Sequence, residues 1–321
     1  MKKIGIIILC LIILLGIFLF HPQKPSFYQE KTILIEKGAS AIEVTLQLKT
    51  QGIIGNSYAF LSKIIITNNL KNIQAGQYSL NSNMTTDEII DILINGKTTK
   101  NTITIIEGWD NKEIGEYLEE KQLFKEEDVI NYNTSDFEFL KDRPNGLGLE
   151  GYLFPDTYLI EKNESLEDTM KMILENFDKK LTPNLREEIT KQDKTIFEII
   201  TMASLIEKEV ITYNDKQIVS GILWKRIEAG MPLQVDATVL YALEQNKEVS
   251  ILDTKIDSPY NTYKYRGLPL GPICNPGLES IKAAIYPIET NYWYYLSKPN
   301  KETVFSRTLE EHNIAIAKYL K

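Results

Sequence analysis

Residues 195–210 read TIFEIITMASLIEKEV. Thr195 and Glu198 have the three-residue spacing of a capping box, so a helix starts here. At 100° per residue, Ile196, Ile200, Ala203 and Val210 fall within about 60° of Glu207. Glu198 and Glu209 fall on the opposite face, where solvent is expected. Two acids therefore obey the amphipathic pattern, and Glu207 stands at the centre of the apolar face. A carboxylate buried there without a partner costs on the order of several kcal/mol, or it holds its proton towards neutrality. A carboxyl protonated near neutral pH is what a general acid needs. The competing explanation is structural: a Glu salt-bridged or hydrogen-bonded in the core, or placed where the helix end reaches solvent.

Around this stretch the chain reads as α+β, with a larger, mostly helical region following a small mixed module. Residues 165–180 place Leu166, Met170, Ile173, Leu174 and Phe177 on one side of a helix. Residues 214–229 form another, closed by Gly230 and Pro232. Residues 149–160 are aromatic and extended, and Pro155 excludes a helix interior. Residues 258–277 (SPYNTYKYRGLPLGPICNPG) are rich in Pro, Gly and Asn and predict a long ordered loop. Residues 292–297 read as a strand with 304–306 as its partner, and 309–320 as a last helix. Before all of these, 32–36 alternates like a strand, 41–50 and 58–66 have helical spacing, and 75–80 is a second strand. That is a βααβ module within residues 30–105. A helix over 87–94, a strand over 102–106 and a helix over 110–121 follow, and the second domain runs from 106 to 321.

The chain has 321 residues and a formal net charge of −8. Without a basic block it is a poor nucleic-acid binder, because phosphate contacts need clustered Lys and Arg. The only His are His21 and His312, and the only Cys are Cys10 and Cys274. A metal site rich in His or Cys and a disulfide framework are both excluded, and no cofactor is called for. Enzymatic chemistry would rest on carboxylates. Lys2 and Lys3 precede an apolar run from Ile4 to Phe20 that ends without a small-residue cleavage site. Leu9 before Cys10 is too large for a lipobox. The expectation is an uncleaved single-pass anchor over residues 4–21 with residues 1–3 in the cytoplasm, placing the remainder outside the cytoplasmic membrane.

Several stretches together resemble the MltG (YceG-like) family of endolytic murein transglycosylases. LEGYLFPDTY at 149–158 resembles its entry segment, and ASLIEKE at 203–209 the segment whose catalytic glutamate falls on Glu207. LQVDATVLYAL at 233–243 resembles its Q-x-D-x-T-V-x-Y segment. SPYNTY at 258–263, GLPLGPI at 267–273, NPGLESIKAAIYP at 275–287 and TLEEHNIAI at 308–316 follow in family order. The resemblance covers roughly residues 30–321. It implies a LysM-like βααβ module and a YceG-like catalytic domain. It also implies a lyase that cleaves β-1,4 bonds between N-acetylmuramic acid and N-acetylglucosamine within peptidoglycan strands. One carboxyl protonates the glycosidic oxygen, then accepts the proton of the muramic C6 hydroxyl as it attacks C1, leaving a 1,6-anhydro end. The implied partners are peptidoglycan strands, the membrane and cell-wall synthesis proteins, the last through termination of nascent strands. One position departs from the pattern: Thr303 stands where a His is usual. That leaves His312 as the one external His, for which a structural role is the stronger expectation.

Sugar sites use aromatic faces and amide, hydroxyl or carboxylate groups. The substrate-binding candidates are Tyr152, Phe154, Asp156, Gln234, Asp236, Asn261, Tyr263 and Asn275. Each also has a plain structural explanation, as core aromatic, turn Asn or capping Asp. Two alternatives stand beside the transglycosylase. One is a hydrolase pairing Glu207 with Asp156 or Asp236, since ordinary glycosidases need two carboxyls. The other is an anchored glycan-binding or division scaffold with little or no activity.

Overall fold

The computed structural model describes residues 28, 30–98, 100–161, 164–245 and 249–320. It is a mixed α+β structure, mostly helical with short strands, in two compact units. The expected tail at 1–3 and anchor at 4–21 lie outside the described residues. Among the described residues, no helix is long and apolar enough to cross a membrane.

The first unit runs to Thr102 and takes in Leu159–Glu164 as well. Its elements are β1 (Glu30–Ile35), α1 (Ala41–Thr50), α2 (Ser57–Ile66), β2 (Gly76–Asn81) and α3 (Thr86–Ile94). β1 and β2 are antiparallel, with Glu30 opposite Asn81 and Ile35 opposite Gly76. Strand alternation turns Ile33, Ile35, Tyr78 and Leu80 inward, where they meet Val44, Leu48, Phe60, Ile64, Ile89 and Leu93. Capping boxes start α1 at Ser40 with Glu43 and α3 at Thr85 with Glu88. In α1, Val44 and Leu48 are four residues apart and share the buried face, while Ile42 and Leu46 are each 57% exposed.

The second unit comprises Ile103–Tyr158 and Ser165–Lys321. In chain order its elements begin with β3 (Lys100–Thr104), which starts in the first unit, then α4 (Asn111–Glu120), α5 (Glu126–Asn131) and β4 (Thr157–Glu161). Next come α6 (Leu166–Lys180), α7 (Pro183–Lys191), α8 (Ile196–Glu209), α9 (Tyr213–Glu228), α10 (Asp236–Leu243) and α11 (Leu278–Ile285). β5 (Tyr294–Ser297), β6 (Thr303–Ser306) and α12 (Leu309–Tyr319) close the chain. β3 pairs with β4, and β5 with β6. The short helices α5, α7, α10 and α11 have too few turns to announce themselves by periodicity.

α8 organises this unit. Thr195 and Glu198 form the capping box the spacing predicts. The helix is not amphipathic, however: all eight residues from Ile199 to Ile206 are buried. α7, α9, α10 and α11 pack around it. Its two interior hydroxyls are satisfied locally, Thr201 donating to the Phe197 carbonyl and Ser204 to that of Thr201. A helix enclosed in this way has no solvated face, so its acids are confined to its ends. Glu198 belongs to the cap, and Glu207 and Glu209 to the last turn. The expectation of a polar face carrying Glu209 is corrected accordingly.

Candidate functional site

The last turn of α8 brings Glu207 against the start of α9 and the start of α11. Its Oε1 is 3.1 Å from Lys216 Nζ, and the two side chains are 9% and 4% exposed. Its Oε2 accepts the N–H of Gly277, the N-cap of α11, at 2.9 Å. Glu207 is therefore neither unpaired nor wholly sealed. It is a carboxyl group held on both oxygens, by Lys216 on one and by the Gly277 N–H on the other. The apolar neighbours in its sequence correctly indicate burial, and the compensating charge comes from another helix. Lys216 carries the same signal: it shares the apolar face of α9 with Val219 and Leu223.

Gly277 is placed by Asn275, two residues earlier. The Asn275 side chain is fully buried and accepts the Leu153 N–H at 2.8 Å. Its amide donates to the Trp109 carbonyl and to Asn111 Oδ1, both at 3.0 Å, and to Glu150 Oε1 at 3.3 Å. Backbone bonds from Gly108 N–H to the Asn275 carbonyl and from Asn275 N–H to that of Trp109 lace the two segments together. Glu107 thus lies beside Gly277. A Cβ on Gly277 would fall 2.1 Å from Glu107 Oε1, so a larger residue there would push that carboxyl aside.

A cavity of about 1030 Å³ opens nearby, with Glu150, Glu209, Asp236, Tyr241 and Tyr260 among its lining. Glu207 itself is not among the lining residues. Burial pushes the Glu150 carboxyl up to about 8, against hydrogen bonds from the Asn111 N–H and the Tyr241 hydroxyl. Burial likewise pushes Glu209 up to about 7; a hydrogen bond from Tyr295 opposes this and the charge of Asp236 adds to it. Neither acid was singled out by the sequence reading, although Glu150 lies within the LEGYLFPDTY stretch. Their burial comes from residues distant in the chain, so periodicity could not reveal it.

The proposed sugar-facing residues divide. Tyr152 and Phe154 are both buried, packed with Phe177 in an aromatic cluster that includes Phe139. Asn261 and Asn275 are fully buried as well and hold backbone together. Asn261 donates to the carbonyls of Thr254 and Ile256 and accepts from the Tyr263 N–H, so it folds its own loop. Asp156 is bound by Lys180 and Asn176, each at 3.0 Å. Gln234 is exposed, with a left-handed backbone at φ 54°. Asp236 is exposed on the cavity wall and accepts the Tyr263 hydroxyl. Of the eight candidates, Asp236 alone lines the cavity. Thr303 donates to Asp215, and His312 stacks on Tyr294 with ring centroids 5.3 Å apart. Cys274 is a buried thiol donating to the Ser204 carbonyl.

Residues 33–318 match the family model described as "YceG-like family". A relative named "Endolytic murein transglycosylase" in Bacillus subtilis (strain 168) is 35% identical, with 96% of this chain and 89% of the relative covered. A protein of the same name in Streptococcus pneumoniae (serotype 2, strain D39) is 30% identical, with 90% of this chain and 58% of the relative covered. The chain therefore spans little more than half of that pneumococcal protein. The crystal structure of a yceG-like protein from Listeria monocytogenes superposes with a TM-score of 0.61 at 32% identity, covering 90% of this chain and 100% of that one.

Proposed function

This chain belongs to the YceG-like family, and from that premise we propose that it is an endolytic murein lytic transglycosylase with Glu207 as its single acid and base. The observation that carries this reading is how Glu207 is held. One oxygen faces an ammonium and the other a backbone N–H. In the reaction the Glu207 carboxyl gives its proton to the glycosidic oxygen between N-acetylmuramic acid and N-acetylglucosamine. The resulting carboxylate is the species that Lys216 and the Gly277 N–H stabilise. It then takes the proton of the muramic C6 hydroxyl as that oxygen closes on C1. No water enters, and the product carries a 1,6-anhydro end.

The cavity beside the site, walled by Asp236, Tyr241 and Tyr260, is of a size to take sugar rings. The apolar run at residues 4–20 is read as a membrane anchor, which places the reaction outside the cytoplasm, close to where strands are made. Cell-wall synthesis proteins are the partners such a position favours, and the first unit is read as a LysM-like glycan-binding module. The test is mass spectrometry of purified glycan strands after digestion. The parent protein is expected to yield internal cuts with anhydro ends, one water lighter than hydrolytic products. Glu207→Gln is expected to lose at least about 100-fold in rate, the scale of general acid–base catalysis. Hydrolytic ends would refute the transglycosylase chemistry, and full activity in Glu207→Gln would remove Glu207 as the catalyst.

A further inference from the structure

Glu150 stands on the wall of the cavity of about 1030 Å³, and the reaction gives its carboxyl no work. Among the described residues no Lys or Arg forms an ion pair with it. Its Oε2 accepts the Asn111 N–H at 3.1 Å and the Tyr241 hydroxyl at 3.3 Å. Its Oε1 accepts the Asn275 amide at 3.3 Å. The Gly151 N–H is a further donor. The backbone N–H groups can only donate. So can the Asn275 amide, whose orientation is fixed because its Oδ1 accepts the Leu153 N–H. Of these partners, only the Tyr241 hydroxyl is able to accept as well. Tyr241 packs against Tyr260 with ring centroids 4.9 Å apart, and a hydrogen bond links the two hydroxyls. Both tyrosines line the same cavity as Glu150.

We propose that Glu150, Tyr241 and Tyr260 form a hydrogen-bond relay ending in an O–H donor at the cavity wall, and that this donor binds the acetamido carbonyl of an N-acetylated sugar. The proposal rests on the reading of this chain as an enzyme acting on glycan. A protonated Glu150 has one hydrogen to give, and Tyr241 is the partner that takes it. Tyr241 then turns its own hydrogen to Tyr260, which leaves the Tyr260 hydrogen for the cavity. An ionised Glu150 reverses the chain. Tyr241 donates to the carboxylate, Tyr260 donates to Tyr241, and the cavity meets lone pairs that repel a carbonyl oxygen. The reversal releases one proton to solvent and breaks no bond between heavy atoms. Burial favours the protonated form, pushing Glu150 up to about 8; the Asn111 N–H opposes this and the charge of Asp110, the N-cap of α4, adds to it. Burial and then the charge of Glu150 raise Tyr241 and Tyr260, so both keep their hydrogens. Burial also raises the nearby Cys274 thiol, which stays neutral. Other charged groups on the cavity wall include Arg143, Lys208 and Glu209 at the end of α8, and Asp236 at the start of α10.

Carbon-13 NMR of tyrosine rings tests this in the full chain carrying Glu207→Gln, so that binding is read without cleavage. The probe is the tetramer of N-acetylglucosamine, and Tyr241→Phe and Tyr260→Phe assign the two signals. Both signals are expected to move with this tetramer and to respond far less to the glucosamine tetramer, which lacks the carbonyl. The dissociation constant they report is expected to rise at least about 5-fold between about pH 6 and about pH 9, the scale of one hydrogen bond. Adding Glu150→Gln keeps the group neutral and able to donate at both pH values. Its dissociation constant is expected to stay within about twofold of the lower one throughout, again on the scale of that bond. Adding Tyr260→Phe is expected to give the weaker binding at both. Signals that ignore the N-acetylated tetramer, or that answer the two tetramers equally, overturn the site. The same rise in Glu150→Gln overturns the role of Glu150. Should Glu150→Gln fail to fold, the protein retaining Glu150 decides: a constant that does not change with pH, or a rise that survives in Tyr260→Phe, overturns the relay. Binding as stated, with no anhydro products once Glu207 is restored, supports the relay and refutes the proposed function.

Discussion

Glu207 and Lys216 lose nearly all contact with water together. Breaking such a pair from one side strands a charge, which is far costlier than losing the attraction itself. Lys216→Met is therefore expected to destabilise the protein by about 3 kcal/mol at neutral pH. The double variant with Glu207→Gln is expected to regain a substantial part, as urea denaturation of the four proteins would show. Additive losses would mean that the two groups are not coupled. Glu207 was legible in the sequence because a lone acid among Ile, Ala and Val breaks a pattern that can be counted. Lys216 breaks a similar pattern, but the sequence reading did not single it out. Their pairing was not legible, since it depends on how α8 and α9 pack.

Among the elements, the segments around residues 108 and 275 depend on each other. Neither is regular secondary structure, and each satisfies its backbone groups through the other. Asn275 makes four side-chain hydrogen bonds to residues more than 100 positions away. Asn275→Ala leaves the Leu153 N–H and Asn111 Oδ1 short of partners inside the unit. It is expected to cost about 3 kcal/mol, on the basis of roughly 1–3 kcal/mol for each unsatisfied buried group. It should also reduce activity by releasing Gly277 from Glu207. Thermal melting and product analysis together would reveal a variant that is unstable but active, which would contradict that link. Helices with capping boxes were readable to within a residue or two because Ser40–Glu43, Thr85–Glu88, Asp110–Glu113 and Thr195–Glu198 are local signals. The loop at 258–277 was recognisable as ordered, and its Asn261 and Asn275 are buried and hold backbone together. A side-chain amide is suited to clamping backbone or to meeting a sugar, and only its surroundings distinguish them.

For the whole molecule, the dependence of stability on pH follows from acids that folding removes from water. Glu150 and Glu209 go from an ordinary 4.5 up to about 8 and about 7. Between those values the native protein keeps protons that the unfolded chain has released. Their contribution is therefore fully present below 4.5 and is lost as pH rises towards about 8. The melting temperature is expected to fall over that range, and Glu150→Gln to flatten the decline. A flat parent curve would mean that these acids are open to water. The exposed carboxyls of Glu43 and Glu187 are lowered, by Ser40 and by Lys191 respectively, and work in the opposite sense as pH drops.

Taken alone, the order of residues was enough to establish the mixed class, the capped helices, the βααβ segment and the family resemblance. All of these arise from spacings within about twenty residues or from short motifs. It was enough to point to Glu207 as well, since one charge on an apolar face is a local anomaly. Burial and partnership needed the fold. α8 lost its polar face because four helices enclose it, Tyr152 and Phe154 went to the core because Phe177 waits there, and Glu107 reached Gly277 because Asn275 holds the two segments together. Each of those outcomes is set by groups more than twenty residues apart in the chain, or by helices whose packing no local period encodes. Desolvation and Coulomb interactions act on distance in space, so these properties exist only once the chain has closed on itself.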